Sequence, residues 1–157
     1  NWRGMIESGG RRIRRTIFID INSIKTCTDE IIKRIEKLPY LTDYITGIRE
    51  NNEKYMTNIA VFCAYFKEYL RNMPGLNKDM TLIVRQLDPT EHGLPIEITC
   101  FSASTQWADY ETVQAEIFEH ALAIIPQFDL RLYQRPSGLD VLTTIAACNL
   151  PGRKLSD

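Results

Sequence analysis

The side chains of this 157-residue chain best suited to catalysis or metal binding are two histidines, four cysteines and six serines, and their spacing argues against both. His92 lies in a run of turn-forming residues, where a solvated ring is the default. His120 follows Glu116 by four positions, so the two share one face of a helix, but a third ligand at useful spacing is missing. Cys27, Cys63, Cys100 and Cys148 are far apart and form no C-x-x-C pair. Free thiols in apolar stretches behave as small hydrophobes, so buried, reduced cysteines in a reducing compartment are expected rather than disulfides or metal. Ser8, Ser23, Ser102, Ser104, Ser137 and Ser156 include no nucleophile elbow of the form G-x-S-x-G. Ser102 and Ser104 fall between a strand and a helix, where capping and turn roles are the rule. Gly9-Gly10 lacks the pattern of a phosphate loop, and the carboxylates are scattered over polar faces. The expectation is therefore no catalytic residue, no cofactor and no metal: a non-enzymatic module that works by assembling.

The chain length suits one domain, which at this size buries roughly 70% of the surface its unfolded chain exposes. Apolar residues at 44% and a formal charge of −1 place it among ordinary globular proteins and give no sequence-wide pull toward nucleic acid or an anionic membrane. The longest apolar run, Ile59 to Phe66, is far short of the roughly 20 residues of a membrane helix. Residues 1–12, with Gly4, Gly9 and Gly10 beside Arg3, Arg11 and Arg12, read as a basic Gly-rich leader. The start at Asn1-Trp2-Arg3 suggests a piece of a longer protein. Residues 13–140 read as the folded α/β domain and 141–157 as a tail, its end from Pro151 disordered.

Within the domain, Ile13 to Ile21 alternates, with Ile13, Ile17, Ile19 and Ile21 on one face and Arg14, Thr16, Phe18 and Asp20 on the other, which predicts a half-buried strand. Thr28 can cap a helix carrying Ile31, Ile32, Ile35 and Leu38, and Tyr40 to Ile48 continues as a second short helix. The polar run Arg49–Lys54 reads as exposed. Thr57 or Asn58 caps a stronger helix with Ile59, Phe62, Phe66, Tyr69, Leu70 and Met73 inward, stopped by Pro74-Gly75. Met80–Leu87 and Ile96–Phe101 read as a hairpin. A helix from about Asp109 to Ile125 buries Val113, Ile117, Ala121, Leu122 and Ile125, and Leu130–Tyr133 reads as a fourth strand. The fold class is α+β: a ferredoxin-like split βαβ sandwich, β-α-β-β-α-β, with an extra helical insertion before strand two.

That plan hosts RNA-recognition domains and metal carriers. Phe18 and Phe101 offer rings for the first, but the Gly-Phe-rich signature is missing from strand three; Cys27 alone cannot serve the second. Arg11, Arg12, Arg14 and Arg15 form the one conspicuous charge cluster. It reads as a solvated strand entry, or as an interchain salt-bridge site where copies assemble symmetrically.

Several longer runs are more specific. Asn1-Trp2-Arg3-Gly4-Met5 and Glu7 to Ile13, Asp79 to Leu87, Gly93 to Ile98, Trp107 to His120 and Gln134-Arg135-Pro136-Ser137-Gly138 resemble the last domain of small-conductance mechanosensitive channels (MscS), most of all the YbdG-like, or miniconductance, subgroup of bacteria. The likeness covers about residues 1 to 140 and makes the leader the end of a preceding β domain. It implies a homo-oligomeric membrane protein, a heptamer whose C-terminal domains enclose a cytoplasmic vestibule beneath the inner membrane and filter solute. Membrane tension then opens a pore, formed upstream of Asn1, that releases ions and small solutes in hypo-osmotic shock. No nucleic acid is implied, and the membrane is met only through N-terminal helices. The helical insertion, residues 25–73, is longer than in the plain family plan. Trp2 and Trp107 stand out as anchors between subunits or, equally, as core residues. The alternative reading is a regulatory domain of the same fold that senses a small molecule.

Overall fold

The structure, a computed structural model, describes residues 10–50 and 56–135. Strand β1 (Arg12–Ile19) follows from an alternation broken only at Arg15: Ile13, Ile17 and Ile19 are buried while Arg12, Arg14, Thr16 and Phe18, and Arg15 on the inner side, are exposed. The strand ends two residues earlier than the alternation predicts. Asp20 accepts a hydrogen bond from the Asn22 amide and caps a short 3-10 turn, Ile21–Ser23, so Ile21 leaves the expected strand face and is exposed.

Three helices separate β1 from the next strand. Helix α1 (Asp29–Ile35) is capped by Thr28, whose hydroxyl accepts from the Ile31 amide, and carries Asp29 and Glu30 in its first turn against the helix dipole. Helix α2 (Thr42–Glu50) is entered through Tyr40, held at φ 72, and buries Ile45. Helix α3 (Asn58–Asn72) is capped by Thr57 and ends before Pro74 and Gly75, the latter at φ 91. The polar centre expected at Arg49–Lys54 is described only through Glu50, with Arg49 paired to Glu36 at 2.6 Å; residues 51–55 lie outside the described ones.

Strand β2 (Ile83–Gln86) is half the predicted length, and β3 (Leu94–Phe101) begins two residues earlier than predicted. Both pair antiparallel, β1 with β3 and β2 with β3, giving the order β1-β3-β2. The turn before β3 depends on Gly93 at φ 93, where a Cβ would lie 2.4 Å from the Ile19 carbonyl oxygen. Helix α4 (Trp107–Ile124) runs into a 3-10 turn, Ile125–Phe128. The expected fourth strand contracts to one antiparallel bridge, Leu132 with Ile19, flanked by hydrogen bonds from Asp20 N to Arg131 O and from Tyr133 N to Phe18 O. That bridge lies beside β1 on the side away from β3. The spatial order is therefore Leu132, β1, β3, β2, the ferredoxin-like order, with α3 and α4 as the two crossover helices and α1 and α2 as the insertion.

One core joins these parts. Ile13, Ile17 and Ile19 of β1 and Ile96, Ile98 and Cys100 of β3 meet Phe62, Phe66 and Leu70 of α3, Ile117 and Ala121 of α4, and Ile31, Ile35, Leu41 and Ile45 of the insertion. Asn58, fully buried, ties three segments: its side chain accepts from Lys25 N and donates to the carbonyls of Ser23 and Phe128. Leu122, expected inside, is 49% exposed, because it falls on the outer side of α4.

Candidate functional site

The candidate catalytic and metal-binding residues are brought into other roles. His120 packs against α3, its ring stacked on Tyr69 at 4.0 Å between centroids and its Nε2 2.8 Å from the Tyr65 hydroxyl. Burial lowers the His120 pKa, while burial, reinforced by Tyr40 and Tyr69, pushes Tyr65 up to about 12. Glu116, one turn earlier, is exposed and shares no ligand geometry with it. His92 lies 3.4 Å from Glu91 and meets the rings of Phe18 and Tyr133 edge-on. Among the described residues no group of three His, Cys, Asp or Glu side chains is placed to hold a metal.

Cys27, Cys63 and Cys100 are free thiols; Cys100 is buried and the other two half-buried, less than expected. Burial pushes them to about 11, 12 and 12, which keeps them protonated and poorly nucleophilic at neutral pH. Ser23 donates to the Asp20 carbonyl and accepts from Arg131 N. Ser102, fully buried, donates to the Ser104 carbonyl at 2.6 Å and accepts from Arg11 N. Ser104 donates to Asp109 and accepts from Gln106 N two residues on, the turn role expected of it; Gln106, the residue that caps α4, offers no side-chain bond, so the capping role falls to neither serine. Trp2, Ser8, Gly9, Ser137, Cys148 and Ser156 lie outside the described residues.

The four arginines of the leader and β1 divide between the two sides of the sheet. Arg11 sits over the rings of Trp107 and Tyr110, at 4.9 and 4.4 Å, and Arg15 over Phe118 at 5.1 Å, so both clamp β1 to α4 by cation–π contact. Arg12 and Arg14 point to the opposite side, the uncovered face of the sheet. There Glu97 of β3, only 5% exposed, lies between Arg14 at 3.3 Å and Arg85 of β2 at 3.1 Å. Burial alone would raise the Glu97 pKa; the charges and hydrogen bonds of the two guanidiniums outweigh it and hold the carboxyl below its usual value. Phe18, at 37%, and Ile83, at 38%, are large apolar side chains left exposed on this face. Neither Arg85 nor Glu97 stands out in the sequence; the pairing of β2 with β3, which sets Arg85 opposite Glu97, is what joins them.

A second uncovered surface is the outer side of α4. Trp107 is 63% exposed at one end and Leu122 lies at the other, with Ala108, Ala115 and Ala123 exposed between and beside them. The helix carries Asp109, Glu111, Glu116 and Glu119 and no Lys or Arg. The outer side of α4 thus mixes exposed apolar residues with carboxylates. A polar groove of about 620 Å³ lies between α2 and α3, lined by Tyr40, Asp43, Tyr44, Lys67, Glu68 and Arg71 among others. Among the described residues no helix is long and apolar enough to cross a membrane.

In a comparison with protein families, the family described as mechanosensitive ion channel MscS, C-terminal, matches residues 13–132, from the first buried residue of β1 to the bridge that completes the sheet. This is a family of channel domains and not an enzyme family.

Proposed function

The chain belongs to the mechanosensitive ion channel MscS family as its C-terminal domain, and from that premise we propose that it is the cytoplasmic vestibule domain of a bacterial channel of the YbdG-like, or miniconductance, subgroup. In this reading residues 1–12 are the end of a preceding β domain, and membrane helices further upstream line the pore. Seven copies enclose the vestibule beneath the inner membrane. Tension in the bilayer opens the pore and releases ions and small solutes during hypo-osmotic shock, while this domain supports assembly and filters solute. It does so with no catalytic residue and no cofactor.

The observation that carries the reading is the family match over the whole ferredoxin-like core, residues 13–132. The two uncovered, partly apolar faces agree with it, because a domain that works inside an assembly leaves such surfaces exposed when seen alone. The test is physiological. The full-length parent is expressed in a bacterium stripped of its other tension-gated channels, which is then diluted abruptly into low-osmolarity medium. Higher survival than the empty strain, together with tension-gated current in excised patches, is expected. Equal survival and electrically silent patches refute the reading.

A regulatory domain that senses a small molecule is a second reading, favoured by the groove between α2 and α3, whose volume falls within the range of ligand pockets. A panel of metabolites in a thermal-shift assay tests it, since a ligand at 100 times its Kd adds about 2.7 kcal/mol. A flat response removes its support.

A further inference from the structure

We propose that the groove between α2 and α3 binds a small zwitterion, a molecule carrying an ammonium and a carboxylate together, such as an amino acid or its N-methylated form. The inference rests on the small-molecule reading above and names the ligand class. One wall is the entry into α2, with Tyr40, Thr42, Asp43 and Tyr44. The other is a single face of α3, where Ala64, Lys67, Glu68 and Arg71 follow the i, i+3, i+4, i+7 spacing of a helix. The volume, about 620 Å³, holds such a ligand together with water. Two cations and two carboxylates line it, so it has no net pull on a simple anion or a simple cation.

The pairing inside the groove is uneven. Arg71 and Glu68 bond to each other along α3. The side chains of Lys67 and Asp43, on opposite walls, make no ion pair or hydrogen bond with each other or with any other described residue. Elsewhere the insertion and its surroundings match their charges: Arg49 with Glu36, and Lys25 and Arg34 with Asp129. A zwitterion completes both orphaned groups, its ammonium against Asp43 and its carboxylate against Lys67. Tyr40 and Tyr44 line the same wall as Asp43, which suits the cationic end through attraction to their rings. Tyr40 is held there at φ 72, left-handed backbone that a residue with a side chain rarely adopts, and is 41% exposed. Lys67 and Asp43 are both exposed, so each ion pair contributes little and binding falls in the millimolar range.

The test is an NMR titration of backbone amide shifts in the whole chain at low salt. The probes are glycine, 4-aminobutyrate and trimethylglycine as zwitterions, and butylamine and butyrate as molecules carrying one charge each. The zwitterions should shift the amides of residues 40–44 and 64–71 saturably, about fivefold or more tighter than either single-charge probe. Asp43→Asn should leave them bound no better than butyrate, and Lys67→Ala no better than butylamine. Both positions are exposed, so neither change disturbs the core. Trimethylglycine should bind tighter than glycine, and Tyr40→Gly, unstrained at φ 72, should remove that advantage. Single-charge probes that bind as tightly, shifts outside the groove, or variants that leave zwitterion affinity unchanged overturn the proposal. A groove shifted by butylamine or butyrate alone removes the zwitterion and keeps the small-molecule reading. No shift from any of the five probes overturns the proposal, and a flat metabolite panel then removes that reading as well.

Discussion

Replacing Asn58 by alanine tests the account of how the insertion is anchored. The side chain makes three hydrogen bonds: it accepts from Lys25 N at 3.0 Å and donates to the carbonyls of Ser23 at 2.9 Å and Phe128 at 3.0 Å. It is fully buried, so alanine leaves one amide and two carbonyls without that partner where water does not reach them readily. A buried hydrogen bond is worth about 1 kcal/mol net, and an orphaned group costs about 1–3 kcal/mol, so the variant should lose about 3–5 kcal/mol. That is a large share of a total stability of about 5–15 kcal/mol. For a chain of this size the melting temperature should fall by about 10–15 °C in a calorimetric scan at pH 7. Asn58→Asp gives a sharper contrast. It keeps the acceptor for Lys25 N but sets a carboxylate oxygen against two carbonyls, and it should be at least as unstable as the alanine variant at pH 7. A loss of under about 1 kcal/mol for Asn58→Ala, or an aspartate variant as stable as the parent, would refute the claim that this residue holds α3, the first 3-10 turn and the end of the second together.

Three further outcomes follow from the geometry. Gly93→Ala should lower stability by about 1–3 kcal/mol, read as a reduced denaturant midpoint, because alanine is strained at φ 93 and its Cβ would meet the Ile19 carbonyl. Burial lowers the His120 pKa below 6.5, so the unfolded chain takes up that proton first; stability is complete above pH 6.5 and declines as pH falls from there through the folded pKa. Melts between pH 7 and 5 should show this slope, and His120→Phe, which keeps a ring against Tyr69, should flatten it. Cys63 and Cys100, held at about 12 by burial, should react with a thiol-specific disulfide reagent at pH 8 only when denaturant is added. Rapid labelling of either in the native protein would contradict their packing.

The regular elements were legible because their signals are local. The period of two in Ile13, Ile17 and Ile19, the hydroxyls of Thr28 and Thr57, and the Pro74-Gly75 stop each act within a few residues of where they stand. The family likeness was legible for a related reason, since long specific runs preserve it without any coordinates, and the match over residues 13–132 bears out the family and its domain. Local signals misled where a neighbour in space decided the outcome. Ile21 continues the strand period, yet the chain turns at Asp20 and exposes it; Leu122 follows helical spacing, yet falls outside. Thr57 and Asn58 were equal candidates for one cap, and packing separated them: Thr57 caps, while Asn58 bonds to groups 33, 35 and 70 residues away.

The sequence by itself determined the fold class, the family and the caps of α1 and α3, because periodicity, capping and motif are written over short stretches of chain; α2 and α4, with no such cap, start at Thr42 and Trp107, two residues from where the spacing put them. Tertiary structure alone decided which arginines clamp α4 and which face outward, that Arg14 and Arg85 share Glu97, and that His120 pairs with a tyrosine. Those are consequences of strand register and helix placement, which bring together residues between 12 and 98 positions apart. No local pattern encodes a separation of that length.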